Sequence, residues 1–265
     1  MGTVELHKGD CLEVLRSIKT HSVDVGVTSP PYNLGGDFHS SSVNDKIRRS
    51  YGGYEDDDDN LPEDVYQKNQ IDVLNELHRV IKPSGWLFYS HKNRIKNGSI
   101  ISPLSWIAST PWIVYQDVVI DMNGTTNVDK RRFFPSHEFV FVLSARSGNK
   151  LHNDHCVTSI WKFPQVNRYE VGHPASFHIG LPTICLEASA HAGQTAIDPY
   201  MGRGTTGIAA MRLGMNFIGI ERKAGFFELA QNNLAPSNNR LQPTCQAADV
   251  EPESLQQSLW PVARG

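Results

Sequence analysis

The stretch "TAIDPYMGRGTTGIAAMRLG", residues 195–214, reads as a strand, a glycine turn and a helix in immediate succession. Gly202, Gly204 and Gly207 satisfy G-x-G-x-x-G, the turn that brings backbone close to a nucleotide and a helix close to its strand. Alone this pattern is weak, because ordinary strand-to-helix turns also match it. Two carboxylates sharpen it. Asp198 ends the strand before the turn, and Glu221 ends the next one, "NFIGIE" (216–221), where it can accept hydrogen bonds from ribose hydroxyls. A pyrophosphate would sit on the helix N-terminus, where Asp198 would crowd it. A sulfonium ligand carrying an amino group would be favoured instead.

The same alternation extends along the chain. Strands are expected at 3–7, 23–28, 86–90, 113–120, 138–144, 195–200 and 216–221, and helices at 11–19, 63–81, 99–109, 180–191, 204–213 and 224–233. Gly85 in "KPSG" is read as the stop of the second helix. The fold class that follows is α/β: a Rossmann-like, mixed but mainly parallel sheet with helices on both faces. One domain is expected over 1–234, with a polar, glycine-rich insertion loop at 35–62 and a small irregular inserted region from about 145. Residues 235–265 read as a flexible tail.

Composition bounds the function. The chain has 265 residues, 39% of them hydrophobic and 20% charged, as a globular domain with a full core requires. No apolar run reaches the ~20 residues of a membrane span, and the N-terminus lacks a signal-peptide core. Four cysteines without a C-x-x-C pair read as reduced thiols of a cytoplasmic protein, with no metal site. A net charge of −3 argues against polyanion binding by the whole surface, yet leaves room for a local basic groove.

A second constellation is "VDVGVTSPPYNLGG" (23–36). Val23, Val25 and Val27 form a strand that must stop at Pro30 and Pro31, which lack a backbone N–H. A stiff loop bearing Tyr32 therefore stands at a strand's carboxyl end, where open α/β sheets bind ligands. As a bare turn, "SPPY" would be a rigid corner with a packed tyrosine.

Together, "TSPPY" and "DPYMGRGTT" resemble the DNA methyltransferases that modify exocyclic amino groups, at adenine N6 or cytosine N4. The catalytic motif precedes the cofactor motif, which is similar to the circularly permuted β group. The resemblance implies S-adenosylmethionine as cofactor, double-stranded DNA as substrate and a base flipped out of the duplex. Carried over residue by residue, Ser29, Pro30, Pro31 and Tyr32 would be catalytic. Asp10 and Cys11 in "GDCLEVL", His173, Ser176 and Phe177 in "HPASFHIGLP", and Asp198, Pro199, Gly202, Gly204, Thr205, Thr206 and Glu221 would hold the cofactor. Asp10 is equally compatible with a helix N-cap. Relatives often carry a charged residue where this chain offers Phe177-His178.

The chemistry suits these residues. An aryl amine is a poor nucleophile because its lone pair is delocalised into the ring. Acceptors facing both amino protons, the Pro30 carbonyl and the Ser29 hydroxyl, favour a pyramidal nitrogen aimed at the methyl group. Tyr32 can stack on the base, contributing ~1–3 kcal/mol. No covalent intermediate is expected. Asn33 either positions the base or supports the turn.

Three basic clusters are candidates for phosphate contacts: Lys46, Arg48 and Arg49; Lys92, Arg94 and Lys96; and Lys130, Arg131 and Arg132. The resemblance maps target recognition to about 145–172, a short region, so either the 35–62 insertion shares recognition or a second subunit contributes; a homodimer is expected. Neither the base nor the recognition sequence is legible, nor any restriction endonuclease partner. The competing readings are an NAD-dependent Rossmann oxidoreductase, which leaves "TSPPY" unexplained, and a non-catalytic DNA-binding module on the same fold.

Overall fold

Strand β2 (Val23–Thr28) lies in the middle of the sheet, and all six of its residues are buried, as a strand covered on both faces requires. The computed structural model describes residues 2–34, 59–125, 129–155, 157–164 and 177–235. The chain enters through β1 (Val4–Lys8) and helix α1 (Cys11–Ser17). After β2 come α2 (Glu63–Val80), β3 (Ile81–His91), the hairpin β4 (Arg94–Lys96) and β5 (Ser99–Ile101), and the short α3 (Leu104–Ile107). Then follow β6 (Ile113–Asp121), β7 (His137–Ser144), β8 (Ile160–Lys162) and α4 (Gly180–Glu187). The glycine motif joins β9 (Thr195–Asp198) to α5 (Thr205–Arg212), and β10 (Asn216–Glu221) and α6 (Ala224–Leu234) complete the series.

The main sheet runs β1-β10-β9-β2-β3-β7-β6-β8. Only β7 opposes its neighbours; every other pairing is parallel. Side chains alternate between the faces with period two. On β3, Trp86 and Phe88 pack with Leu181, Ile184, Ile208, Ala209 and Leu234 of α4, α5 and α6. Leu87 and Tyr89 turn to the other face and meet Leu15, Tyr66, Leu74, Leu77 and Trp106 of α1, α2 and α3. Helices therefore cover both faces.

Several expected elements are corrected. The helix expected at 99–109 is strand β5, a loop and the single turn of α3. Asn97 and Gly98, at φ 52° and 75°, close a tight β4–β5 hairpin, the Asn-Gly turn whose twist matches its strands. The fourth helix ends at Glu187 rather than 191, and β9 stops at Asp198, because Pro199 cannot continue the ladder. Gly85 is no helix stop: α2 ends at Val80 and Gly85 lies inside β3. A Cβ there would come within 2.4 Å of the Asp24 carbonyl oxygen, so close approach to β2 demands glycine. The expected tail from 236 onward and most of the 35–62 loop lie outside the described residues.

Candidate active site

Strands β9 and β2 are parallel neighbours, with Ala196 opposite Val25 and Ile197 opposite Gly26. Their chains leave in opposite directions, β9 toward β10 and β2 toward β3. This is the switch point at which open sheets bind ligands. Thr28 Oγ1 donates to Asp198 Oδ1 at 2.7 Å, Thr206 Oγ1 to Oδ2 at 2.8 Å, and the Tyr200 N–H to Oδ1 at 3.1 Å. Burial pushes the Asp198 carboxyl up to about 6, although these three donors pull it back. Asp198 and Thr206, expected to hold the cofactor, thus use their side chains on one another and on Thr28. Both are buried, at 1% and 0% exposure, and their polar atoms brace β9 to β2 and to α5.

The cofactor-motif residues that remain at the strand ends form an acidic rim. Gly202 and Gly204 adopt φ 52° and 85°, left-handed backbone that glycine tolerates. Glu221 accepts from the Gly202 N–H at 3.0 Å and the Lys223 N–H at 2.8 Å, one on each oxygen, and burial raises its carboxyl. Each oxygen keeps a second lone pair for a diol. Lys8 pairs with Glu221, and the Gly9 N–H donates to the Glu221 carbonyl at 3.1 Å, so Asp10 follows at the adjacent strand end. Asp10 caps α1 through Oδ1, accepting from Leu12 and Glu13, while Oδ2 carries no hydrogen bond from the described residues. Burial pushes the neighbouring Cys11 thiol up to about 12, so it stays neutral beside Tyr200. Pro199 and Thr205 are buried around the turn, and half-buried Phe177 packs on the core. This set of carboxylate acceptors, left-handed glycines and an aromatic fits a cationic ligand bearing a ribose. His173 and Ser176 lie outside the described residues.

Two hydrogen-bond chains converge on the proline elbow. In the first, His91 Nδ1 lies 2.8 Å from the Lys92 backbone nitrogen and 2.9 Å from the Lys92 carbonyl oxygen, and Nε2 shares a 2.7 Å hydrogen bond with the Tyr66 hydroxyl. Tyr66 in turn donates to the Pro31 carbonyl at 2.8 Å. Burial lowers His91 to about 3, which keeps the ring neutral. In the second chain, Ser29 Oγ donates to the Tyr32 hydroxyl at 3.0 Å, and Tyr32 donates to Glu138 Oε2 at 3.2 Å. Burial, then the Glu138 charge, raises Tyr32 well above the usual phenol range, so it remains a donor. Pro30 is buried, and its carbonyl accepts no hydrogen bond from the described residues. Asn33 supports the turn: at φ 55° its amide pairs with the backbone of Leu61 through both Oδ1 and Nδ2.

The N6/N4 family described as DNA methylase matches residues 23–232, which span both motifs and the sheet between them. The chain belongs to that family. The methylase is 26% identical over 252 residues to the type II methyltransferase M.HinfI of Haemophilus influenzae, covering 86% of this chain and 67% of that protein. It is 24% identical over 249 residues to the type II methyltransferase M2.MboI of Moraxella bovis, covering 85% of each. Its fold superposes on the cytosine-N4-specific PvuII DNA methyltransferase with a TM-score of 0.69 at 16% identity, covering 94% of this chain and 90% of that one. The M1.HpyAVI–SAM complex matches with a TM-score of 0.59 at 18% identity, covering 88% and 100%. The methylase is therefore an S-adenosylmethionine-dependent DNA amino-methyltransferase of Rossmann-like fold. Among the described residues no helix is long and apolar enough to cross a membrane.

The basic clusters of the methylase fare differently. Arg94 is corrected: it is buried, forks onto Glu63 at 2.7 and 2.9 Å, and cannot reach a phosphate. Lys92 stands at the elbow, its Nζ 5.4 Å from the Tyr32 ring centroid and 3.8 Å from Glu138. Lys96, Lys130 and Arg131 are exposed, and Arg131 and Arg132 share Asp129. Lys46, Arg48 and Arg49 lie outside the described residues. Sequence reasoning missed Thr28, Tyr66, His91 and Glu138. Of these only Thr28, next to the Ser-Pro-Pro-Tyr motif, carried a signal in its position.

Proposed function

We propose that this methylase transfers the methyl group to the exocyclic amine of an adenine or cytosine swung out of double-stranded DNA. The carrying observation is the juxtaposition at the β2–β9 switch point. Thr28 and Asp198 join the two motifs, and the Pro30 carbonyl is left without a donor among the described residues. S-adenosylmethionine supplies a sulfonium methyl, which Asp10, Glu221 and the Gly202–Gly204 turn would hold by its ribose and cationic portions.

The Pro30 carbonyl accepts one amino proton. Ser29 Oγ, whose own proton is directed at Tyr32, offers its lone pairs to the other. Both acceptors are fixed before the base arrives, and such preorganised dipoles contribute most where charge develops. The nitrogen lone pair is thereby turned out of the ring plane toward the methyl group. A nitrogen that gained the methyl group would become strongly acidic, so its proton would leave to water, and no side chain at the elbow is needed as a dedicated base. Tyr32 would hold the base by ring contact from a position supported by His91, 4.5 Å away centroid to centroid.

The single domain over 1–234 would read its site through about 145–172 and through the exposed cations. The shortness of that region favours a homodimer, which a solution mass equal to one chain at working concentration would exclude. Incubation with methyl-labelled cofactor and unmethylated genomic DNA, followed by nucleoside mass analysis, tests the reading. N6-methyladenine or N4-methylcytosine is expected. Cofactor binding without either product would favour a non-catalytic module. Long-read mapping of DNA from an expressing host then yields the motif and shows whether an endonuclease partner is called for.

A further inference from the structure

Phe133 and Phe134 are the only exposed phenylalanines among the described residues, at 100% and 47% of full accessibility. They sit on the β6–β7 connection, whose stem is well held. Met122 N–H donates to the Ser136 carbonyl at 2.9 Å, Asp121 pairs with His137, and Asn123 Nδ2 donates to the Phe163 carbonyl at 3.2 Å. Just before the aromatics, the Arg131 N–H meets Asp129 Oδ1 at 3.1 Å and the Arg132 N–H meets the Asp129 carbonyl at 3.2 Å. Pro135 follows and stiffens the exit. The aromatic pair is thus presented from an organised turn.

Its location gives it a partner. Glu138, five residues beyond Phe133, holds the Tyr32 hydroxyl. β7 runs antiparallel to β3 with Phe139 opposite His91, and β3 runs parallel to β2, so the turn that precedes β7 lies on the side of the sheet where the elbow leaves β2, within the ~18 Å that five extended residues can reach. Lys130 and Arg131 are exposed in the same turn. A stacked duplex offers what this turn lacks: flat apolar faces for the rings, with phosphates on either side for the cations. We infer that Phe133, backed by Phe134 and Pro135, is a wedge that enters the DNA base stack beside the target and fills the space the extruded base leaves. The inference rests on the methyl-transfer reading above. It adds the device that keeps the stack open while the elbow holds the base.

The test compares Phe133→Ala/Phe134→Ala with the unaltered chain on duplexes carrying the mapped site. The target is either correctly paired or placed opposite an abasic residue, which lowers the cost of extrusion. Expected is a roughly ten- to hundredfold loss of methyl transfer on the paired duplex. On the abasic duplex, transfer returns to within about threefold of the parent, with unchanged S-adenosylhomocysteine binding. Equal losses on both duplexes, or no loss on either, overturn the wedge. So does a parent dimer that the double substitution splits into monomers, because the aromatics would then be an interface between copies. If the unaltered chain transfers methyl to neither duplex, the methyl-transfer reading itself fails and the wedge falls with it.

Discussion

Thr28 and Asp198, 170 residues apart in sequence, share a 2.7 Å hydrogen bond inside the sheet. That bond fixes the start of the proline elbow relative to the start of the glycine turn. Thr28→Val removes the donor and leaves a buried carboxylate with one partner fewer, a loss of about 1–3 kcal/mol. A lower urea midpoint is expected, together with weaker S-adenosylhomocysteine binding, although Thr28 belongs to the other motif. Unchanged cofactor affinity in a folded variant would show the two motifs to be uncoupled.

The last glycine of the turn is a packing residue. A Cβ on Gly207 would lie 2.6 Å from Phe217 Cε1 and 2.9 Å from Leu234 Cδ2, forcing α5 off β10. Gly207→Ala should cost about 1–3 kcal/mol by overpacking. Adding Phe217→Leu frees the space and should recover part of the urea midpoint; a double variant less stable than Gly207→Ala would refute this cause.

What could be read in advance had local causes. Prolines at 30 and 31 stop a strand wherever they stand, and period-two runs such as "EFVFVLS" mark β7 without knowledge of its neighbours. The two motifs could therefore be placed on strand ends. Asn97-Gly98 was equally local, but the apolar run Ile100–Ile101 beside it favoured a helix. Glu138 looked like the polar edge of a strand, because its partner Tyr32 lies 106 positions away and only β7's register brings them together. Asp198 was read as facing a ligand because a carboxylate at a strand end has that use. Only the fold reveals two threonines already holding it.

Arg94 shows the same limit from the side of charge. In sequence it stands with Lys92 and Lys96 as a basic cluster, yet its guanidinium is buried on Glu63 and over the Tyr66 ring at 4.9 Å. Burial raises the Glu63 carboxyl, but the Arg94 hydrogen bonds and charge outweigh it and hold the group below its usual range. Arg94→Lys, which cannot fork, should cost about 1–3 kcal/mol of stability and leave the salt dependence of DNA binding unchanged. Lys130→Ala or Arg131→Ala should do the reverse. Each is expected to lower the slope of log affinity against log salt by about one, with no shift in urea midpoint.

Acid stability separates His91 from Asp198. His91 is held at about 3 against an ordinary value of 6.5, so its contribution is complete above pH 6.5 and lost on acidification toward pH 3. Asp198, raised to about 6 from 3.8, has the opposite sign: its contribution is complete below pH 3.8 and lost as pH rises through 6. Between pH 4 and 6 the two slopes oppose each other, each about 1.4 kcal/mol per pH unit. Urea midpoints across this range check the signs. Asp198→Asn should gain relative to the parent as pH rises from 4 to 7, by about 3 kcal/mol. His91→Gln should gain relative to the parent as pH falls below 6.5. A flat difference for either variant would remove that residue from the account.

Glu138 acts through Tyr32 and is therefore a positioning residue. Its carboxylate draws the Tyr32 proton, which leaves the Tyr32 oxygen to receive the Ser29 proton and turns the Ser29 lone pairs outward. Hydrogen bonds in such a chain strengthen one another, and one that ends on a charge is the stronger case. Glu138→Ala should lower kcat for methyl transfer about tenfold or more, with KM for cofactor nearly unchanged, since the carboxylate holds an acceptor and not the ligand. Glu138→Gln retains an oxygen acceptor and should restore most of that loss. Tyr32→Phe should match Glu138→Ala, and the double variant should be no worse than either, because both cut one chain. Single-turnover rates under saturating cofactor make the comparison. Fully additive losses would mean that Glu138 and Tyr32 act separately, and that the Ser29 hydroxyl takes its orientation from another partner.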